Sequence, residues 1–192
     1  MGGIMSIVLQ GSTSGSVTLQ EPAVAGTTVL DLPAVSGTIL TTTSPKAGNV
    51  IQVVSATNST QTSITGTSFA DTSLTASITP TSSSSKILVL VYQPYRFTDA
   101  ANGGGIIIVR NSTPITTVLT DTGNAPYQLY LEVAADFYGI FAASYLDSPA
   151  TTSSTVYKTQ SRPYLSAGSI VLQAQGNVNT NMSTITLMEI AA

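Results

Sequence analysis

Hydrophobic and polar residues alternate most clearly between residues 68 and 95, and this stretch predicts two β-strands. Residues 74–78 alternate apolar with hydroxyl side chains, which is the period-two pattern of a half-buried strand. Pro80 and a short polar connector follow, and residues 87–91 then form an unbroken aliphatic run. Such a run is typical of a strand covered on both faces. We therefore expect both strands near the centre of a β-sandwich.

Alternating or aliphatic segments separated by turn signals continue to the C-terminus and predict further strands. They span residues 50–54, 106–110, 127–133, 137–146, 155–158, 168–174 and 183–190. Within one of them, Tyr138, Ile140, Ala142 and Ser144 are predicted to share one face. Many short strands at this spacing predict an all-β fold, with a jelly-roll-like antiparallel β-sandwich over residues 46–192.

Residues 1–45 are predicted to form an N-terminal arm of extended chain and short β-strands. The sequence PAVAGT at 22–27 returns as PAVSGT at 33–38, and each Pro-to-Gly unit predicts a corner between strands. Strands this short cannot bury a core within one chain, so we expect sister subunits to stabilise the arm. A disordered arm that orders on binding a partner is the alternative. Residues 41–49 are predicted to link the arm to the sandwich.

The arm contains apolar residues that need partner surface. The expected contact residues are Val17, Leu19, Val29, Leu30, Leu32, Ile39 and Leu40.

Composition narrows the classes of partner. Charged residues make up 8 % of the chain, against about 25 % in a typical domain. A net charge of −3, thinly spread, predicts no nucleic-acid partner. No apolar run approaches the roughly 20 residues of a membrane span, so we expect no membrane insertion. A surface so poor in charge predicts burial between chains, and we expect a homotrimer.

The chain lacks the usual side chains of nucleophilic catalysis and zinc binding, because it contains no histidine and no cysteine. Four acids, Asp99, Asp121, Asp136 and Asp147, lie in or near turn signals and are expected to accept backbone hydrogen bonds there. The sequence therefore predicts a protein with no catalytic residues, no metal site and no cofactor. A pair of carboxylates that cleaves glycans is the open enzymatic alternative.

Residues 93–105 are predicted to form a long loop that ends in three glycines. The candidate residues for binding a partner or receptor there are Tyr95, Arg96, Phe97, Asp99 and Asn102. Aromatic rings beside an arginine, an acid and an amide can stack on and hydrogen-bond a sugar or a protein. In the alternative interpretation, Tyr92 and Phe97 belong to the core and Arg96 pairs with a nearby acid.

Three stretches of the chain resemble the fibre and decoration proteins of tailed bacteriophages. GSVTLQEPAVAGTTVLDLPAVSGT is similar to repeats found along phage fibres. SFADTSLTASITPTSSSSKILVLV is similar to the start of a terminal domain that recurs in such proteins. The third is the closing STITLMEIAA, together with the earlier SPATTSSTVYKTQSR.

The resemblance implies a virion protein on the particle surface, whose arm attaches to capsid or tail proteins and whose sandwich faces a host glycan or protein. Long fibres carry many repeats and this chain has two, which favours a short spike or a head fibre. A capsid decoration protein that clamps neighbouring capsid subunits is the alternative within this class. A glycan-degrading spike and a free carbohydrate-binding module are the alternatives from other classes.

Overall fold

The structure is a computed structural model that describes residues 6–20, 45–98, 103–116, 129–130, 136–165, 167–173 and 181–192. The chain divides into two units, Met1–Ile39 and Leu40–Ala192. In the first unit, β1 (Ser6–Gln10) and β2 (Ser16–Gln20) pair as an antiparallel hairpin. These two strands are of the short kind expected in the arm, whereas the repeats at 22–27 and 33–38 lie outside the described residues. The boundary between residues 45 and 46 stays a prediction.

The second unit contains two sheets in which every described pairing is antiparallel. The strands of the six-stranded sheet are β3 (Val50–Asn58), β4 (Thr62–Thr65), β6 (Lys86–Thr98), β10 (Phe137–Asp147), β12 (Ser169–Leu172) and β13 (Ser183–Ile190). The strands of the five-stranded sheet are β5 (Ala70–Ile78), β7 (Gly103–Arg110), β8 (Thr113–Pro114), β9 (Leu129–Tyr130) and β11 (Thr155–Pro163). Side chains from both sheets meet in shared core clusters, so the all-β prediction and a sandwich-like arrangement are confirmed.

The two strands that the sequence places together lie in opposite sheets. Strand β6 is central, since it pairs with β13 and β12 along one edge and with β10 along the other. Strand β5 is an edge strand of the other sheet, so the expectation of a central position is wrong for β5. Each of the two strands has one apolar side. Because these sides face each other across the core, both are buried. The connector between them therefore crosses from one sheet to the other.

The aliphatic run at residues 87–91 is covered on one side only. Ile87, Val89 and Val91 are buried, whereas Leu88 and Leu90 are half-buried on the opposite side of the sheet. The prediction of a strand covered on both faces is therefore wrong for β6. Aliphatic residues at every position conceal an alternation that the fold nevertheless uses.

A layer of buried polar side chains, here called the polar belt, divides the core. It consists of Thr72, Gln93, Thr159, Gln173 and Ser183, all without exposed surface. Gln93 Nε2 donates to Thr72 Oγ1 at 3.0 Å, and the hydroxyls of Thr72 and Thr159 are hydrogen-bonded. With its side-chain oxygen turned toward the belt, Gln173 accepts hydrogen bonds from Gln93 and Ser183. Apolar clusters lie on either side of the belt.

The predicted loop at residues 93–105 is wrong at both of its ends. Strand β6 continues to Thr98, and β7 begins at Gly103. The glycines admit close packing: a Cβ on Gly104 would lie 2.5 Å from Cε1 of Phe97 and against the carbonyl oxygen of Arg162. Glycine is therefore the residue that lets β7 pass beneath the Phe97 ring.

The described part of the predicted linker is hydrogen-bonded to the end of the chain. The Gly48 amide donates to the Ala191 carbonyl at 2.8 Å, and the Ala191 amide donates to the Asn49 carbonyl at 2.9 Å. These bonds extend the pairing of β3 with β13, so residues 48–49 belong with the sheet. Across the described residues, no helix has the length and apolar character required to cross a membrane.

Candidate interaction surface

The solvent side of the six-stranded sheet forms a continuous surface with little charge, here called the outer face. Because successive side chains of a strand point to opposite sides, burial of Ile87, Val89 and Val91 turns the residues between and after them outward. The outer-face residues of β3, β13, β6 and β10 are Val53, Ser55, Thr57, Thr184, Thr186, Met188, Leu88, Leu90, Tyr92, Tyr138, Ile140, Ala142, Ser144 and Leu146. None of these fourteen side chains carries a charge; two charged residues, Lys86 and Arg96, lie on the same side of β6 toward its two ends.

Strand register arranges the outer face in rows. Met188 is paired with both Val53 and Leu88, and Leu88 is paired with Leu146, so four apolar side chains cross four strands. Val53 is 56 % exposed, Ile140 53 %, Leu146 50 % and Tyr92 44 %. Single exposed apolar residues are ordinary on protein surfaces, but a contiguous group on one sheet face is typical of an interaction site.

The opposite side of the sandwich has a different chemistry. Strand β5 presents Ser73, Thr75 and Ser77 to solvent beside Asp71. Asp71 accepts hydrogen bonds from Lys158 Nζ and from Gln160 Nε2, both at 2.8 Å. Burial raises the pKa of Asp71, but the bonds from Lys158 and Gln160 and the lysine charge outweigh it and hold the pKa below its ordinary value. On this side a charged group lies in the middle of the strand pair, as is ordinary for a solvent-facing sheet.

The predicted binding residues do not form a loop constellation. Tyr95 and Phe97 are 7 % and 5 % exposed, and their rings pack edge to face with centroids 5.2 Å apart in the core. Both lie on β6 with their side chains directed inward, so the prediction that they present an aromatic binding surface is wrong. Asp99 and Asn102 lie outside the described residues.

Arg96 is the described member of that set that lies on the outer side of β6. Its Nη1 is 3.3 Å from Oδ2 of Asp136, and its guanidinium carbon is 6.0 Å from the centre of the Tyr138 ring. The pairing with an acid agrees with the alternative interpretation, as does burial of Phe97. Tyr92 is exposed, which that interpretation did not expect. Tyr92 and Arg96 are four residues apart, and side chains an even number of residues apart on a strand point to the same side. This spacing could have placed both residues on the outer side of β6.

The β1–β2 hairpin is amphipathic, and its apolar side is exposed. Register pairs Leu9 with Val17, and Ile7 lies two residues from Leu9 on the same strand, so Ile7, Leu9 and Val17 share one side. Ile7, Leu9 and Val17 are 63 %, 55 % and 61 % exposed. Among the predicted arm contacts, Val17 and Leu19 lie on β2, whereas Val29, Leu30, Leu32, Ile39 and Leu40 lie outside the described residues. The alternation of Ile7 and Leu9 signalled β1, which the sequence analysis missed.

The acids considered for glycan cleavage have different environments. Asp136 pairs with Arg96, Asp147 is buried, and Asp99 and Asp121 lie outside the described residues. Within the described part of the chain, no three histidine, cysteine, aspartate or glutamate side chains cluster in a way that could hold a metal ion.

Asp147 is the buried acid at the end of β10, and side chains bind it. Arg110 Nη1 donates to its two carboxylate oxygens at 2.9 and 2.8 Å, and the Tyr157 hydroxyl donates at 2.7 Å. The expected backbone hydrogen bonds in a turn are therefore wrong for Asp147. Burial raises the pKa of Tyr157, and its hydrogen bond to the charged Asp147 raises the pKa further. This contact joins β10 to both β7 and β11.

Glu189 attaches the connector between β5 and β6 to the last strand. Its carboxylate accepts from Gln52 Nε2 at 2.6 Å, and from the amide and hydroxyl of Thr81, each at 2.7 Å. Burial raises the pKa of a carboxyl group, but these hydrogen bonds outweigh burial and lower the pKa of Glu189 below its ordinary value of 4.5.

Replacement Glu189→Gln is expected to lower the free energy of unfolding by about 1–3 kcal/mol at neutral pH. The carboxylate accepts hydrogen bonds at both oxygens, whereas glutamine has only one acceptor oxygen. The NH2 group of the glutamine would therefore face a hydrogen-bond donor, either Gln52 or Thr81. Because the native pKa is lowered, the carboxylate contributes its full stabilisation above the unfolded pKa of about 4.5 and loses it as the pH falls through the native pKa. Urea unfolding should show the difference between wild type and variant shrinking below that pH. A difference independent of pH would contradict the assignment.

A scan of the chain against protein-family models and a search of curated proteins found no match.

Proposed function

We propose that the chain is a non-enzymatic structural protein of a tailed-bacteriophage particle, a homotrimeric short fibre on the particle surface. Its N-terminal arm attaches to capsid or tail proteins, and its sandwich projects toward the host surface. The observation that carries the proposal is the β1–β2 hairpin, whose apolar side is more than half exposed at Ile7, Leu9 and Val17. The three stretches similar to phage fibre proteins support the same class.

The exposed hairpin supports assembly through the N-terminal unit. A two-stranded hairpin is at best marginally stable alone in water, because its apolar side has nothing to pack against. Residues 6–20 contain no charged side chain, so sister arms can approach one another without charge repulsion. Covering this side with sister arms and particle proteins would remove three large apolar side chains from water, each worth about 1.5–3 kcal/mol when fully buried.

The strand order of the second unit supports the jelly-roll arrangement in this proposal. The chain crosses repeatedly between the sheets: β5 and β7 lie in one and β6 in the other, and β10 and β11 again lie in different sheets. The first strand of the unit, β3, pairs with its last strand, β13. Neighbours so distant in sequence are characteristic of Greek-key connections, of which a jelly roll contains two.

Deletion of residues 1–45 tests the division between arm and sandwich. We expect the shortened protein to remain a soluble β-protein that unfolds cooperatively, because the described core clusters lie wholly in residues 46–192. We also expect it to be missing from particles assembled in its presence, as measured by immunoblotting of purified particles. Normal incorporation would place the anchor in the sandwich and favour the capsid decoration protein over the fibre.

Two neighbouring substitutions make the test specific to the apolar side of the hairpin. Leu9→Asp places a charge on that side, whereas Val8→Asp places it on the other side at similar exposure, 50 % against 55 %. We expect at least a tenfold loss of incorporation with Leu9→Asp and near-normal incorporation with Val8→Asp. Equal incorporation of the two variants would contradict a role for the apolar side.

A further inference from the structure

We propose that the outer face of the six-stranded sheet is the surface through which the sandwich binds a second copy of this chain, with the adjacent open edge of β10 in the same contact. This rests on the homotrimer in the proposed function and assigns it a second assembly surface besides the arm. The inference combines the chemistry of the face, its size and the character of its edge strand.

The chemistry of the outer face suits a copy of itself. Its fourteen side chains are apolar, aromatic or hydroxyl-bearing, and all are uncharged. In a cyclic trimer each contact joins different parts of two copies. The outer face and the edge of β10 are both uncharged, so they meet without like-charge repulsion and without desolvating an unpaired ion. The charged residues on the same side lie toward the ends of the face: Arg96 is paired with Asp136 near one end of β10, and Lys86 is exposed at the start of β6. A strongly charged partner would find no complementary group among the fourteen side chains.

The size of the outer face also favours a protein over a sugar. The outer-face residues span five positions on each of β3, β13 and β6 and nine on β10. At about 3.3 Å per residue and about 4.8 Å between strands, this gives a footprint of roughly 400 Å². Each partner in a standard protein interface contributes about 800 Å². The outer face supplies about half of that area, and the adjacent edge of β10 adds to it.

The edge of β10 lacks the protection that solvent-exposed edge strands usually carry. Among the described residues β10 pairs only with β6, along all eleven of its residues. Residues 137–146 contain no lysine and no proline, and Asp147 is buried. Tyr145 is 37 % exposed on one side of the strand, and Leu146 is 50 % exposed on the other. Unprotected edges of this kind promote association, so a native protein covers them.

The edge strand of the other sheet provides a matched comparison. Strand β5 presents Asp71 and three hydroxyl-bearing residues outward, as solvent-exposed edge strands do. Edge strand β5 is polar and edge strand β10 is largely apolar, so the proposed contact is placed at β10. Strand β5 also supplies a control position, Ser77, which is exposed on its outward side.

Charge placed on the outer face should dissociate the sandwich contact. The test uses the full chain carrying Val53→Lys with Ile140→Lys, and a control carrying Ser77→Lys. By light scattering over a dilution series, we expect at least a tenfold rise in the protein concentration needed for assembly in the double variant and none in the control. Circular dichroism and thermal melting verify that both variants fold, since the substituted side chains are largely exposed.

A single cysteine reports on the same surface without disturbing it, because the chain has no cysteine of its own. Ala142→Cys lies on the outer face, and Ser77→Cys lies on the opposite side of the sandwich; both positions are exposed within one chain. We expect a maleimide dye to label Ala142→Cys at least tenfold more slowly than Ser77→Cys at high protein concentration. On dilution the two rates should become equal.

The outcomes separate this inference from the proposed function. A wild-type trimer whose mass is unchanged in the double variant, with Ala142→Cys labelled as fast as Ser77→Cys, overturns the sandwich interface and leaves the arm-mediated trimer standing. Protection of Ala142→Cys only after addition of host glycan also overturns it and makes the outer face a sugar site. A monomeric wild-type protein overturns the interface and the trimer together, while incorporation into particles tests the virion assignment separately.

Discussion

Replacement of Asp147 by asparagine is expected to lower the free energy of unfolding by about 2–3 kcal/mol. The carboxylate is 6 % exposed and binds Arg110 with both oxygens, and it also accepts from the Tyr157 hydroxyl. Asparagine keeps the volume but leaves the guanidinium without its counter-charge. Because the Arg110 side chain is 27 % exposed, water compensates in part, and we expect the lower end of the range for a broken buried pair.

The control for this prediction is Asp71→Asn, which removes a carboxylate that is ion-paired with Lys158 at the surface. The Asp71 side chain is 53 % exposed, so loss of its contact with Lys158 should cost under about 1 kcal/mol. Urea unfolding of the two variants beside the wild type measures both values. Equal losses would show that the buried position of Asp147 adds nothing to the strength of its contacts.

Strand positions and the all-β class could be predicted because they depend on local alternation. The closing strand at residues 183–190 has the predicted bounds, and Tyr138, Ile140, Ala142 and Ser144 share one face as expected. Alternation also gives the parity of each strand, meaning which side chains point the same way. It does not give the neighbours of a strand, because Val53, Met188, Leu88 and Leu146 meet from four distant parts of the chain.

The polar belt explains why β6 appeared to end too early. The aliphatic run ends at residue 91, and the sequence analysis predicts a loop from residue 93. In the structure Gln93 stays buried with its Nε2 group donating to Thr72 on β5 and to Gln173 just after β12. Its Oε1 has no hydrogen-bond partner among the described residues. A buried polar group is tolerated when such partners are present, and their positions are a property of the assembled fold.

The same limit applies to the candidate surface. Tyr95, Arg96 and Phe97 are adjacent in sequence, but a strand sends Arg96 to one side and both aromatic rings to the other. A loop has no such alternation of sides, so the prediction of a loop grouped Arg96 with the two aromatic residues. In the sheet they lie on opposite sides. The outer face depends instead on register between strands, so composition could indicate an apolar, charge-poor surface without locating it.

Replacement Gly104→Ala is expected to lower the free energy of unfolding by about 2–3 kcal/mol, because it overpacks a site with no room for a methyl group. The added Cβ would meet the carbonyl oxygen of Arg162 on the paired strand β11 and the edge of the Phe97 ring at 2.5 Å. The backbone of a paired strand cannot move alone. The Phe97 ring is held in place by its contact with Tyr95.

Gly66→Ala is the control, because that glycine has a φ of 86° and no atom lies within 4 Å of its added Cβ. The strain of a left-handed conformation alone should cost about 1 kcal/mol. If the Phe97 ring is the main obstacle at Gly104, combining Gly104→Ala with Phe97→Leu should cost less than the sum of the single changes, since the smaller side chain makes room for the methyl group. If the Arg162 carbonyl is the main obstacle, the two costs should add. A Gly104→Ala variant as stable as Gly66→Ala would show that β7 and β11 can separate without loss, which contradicts the close packing of the sandwich at this end.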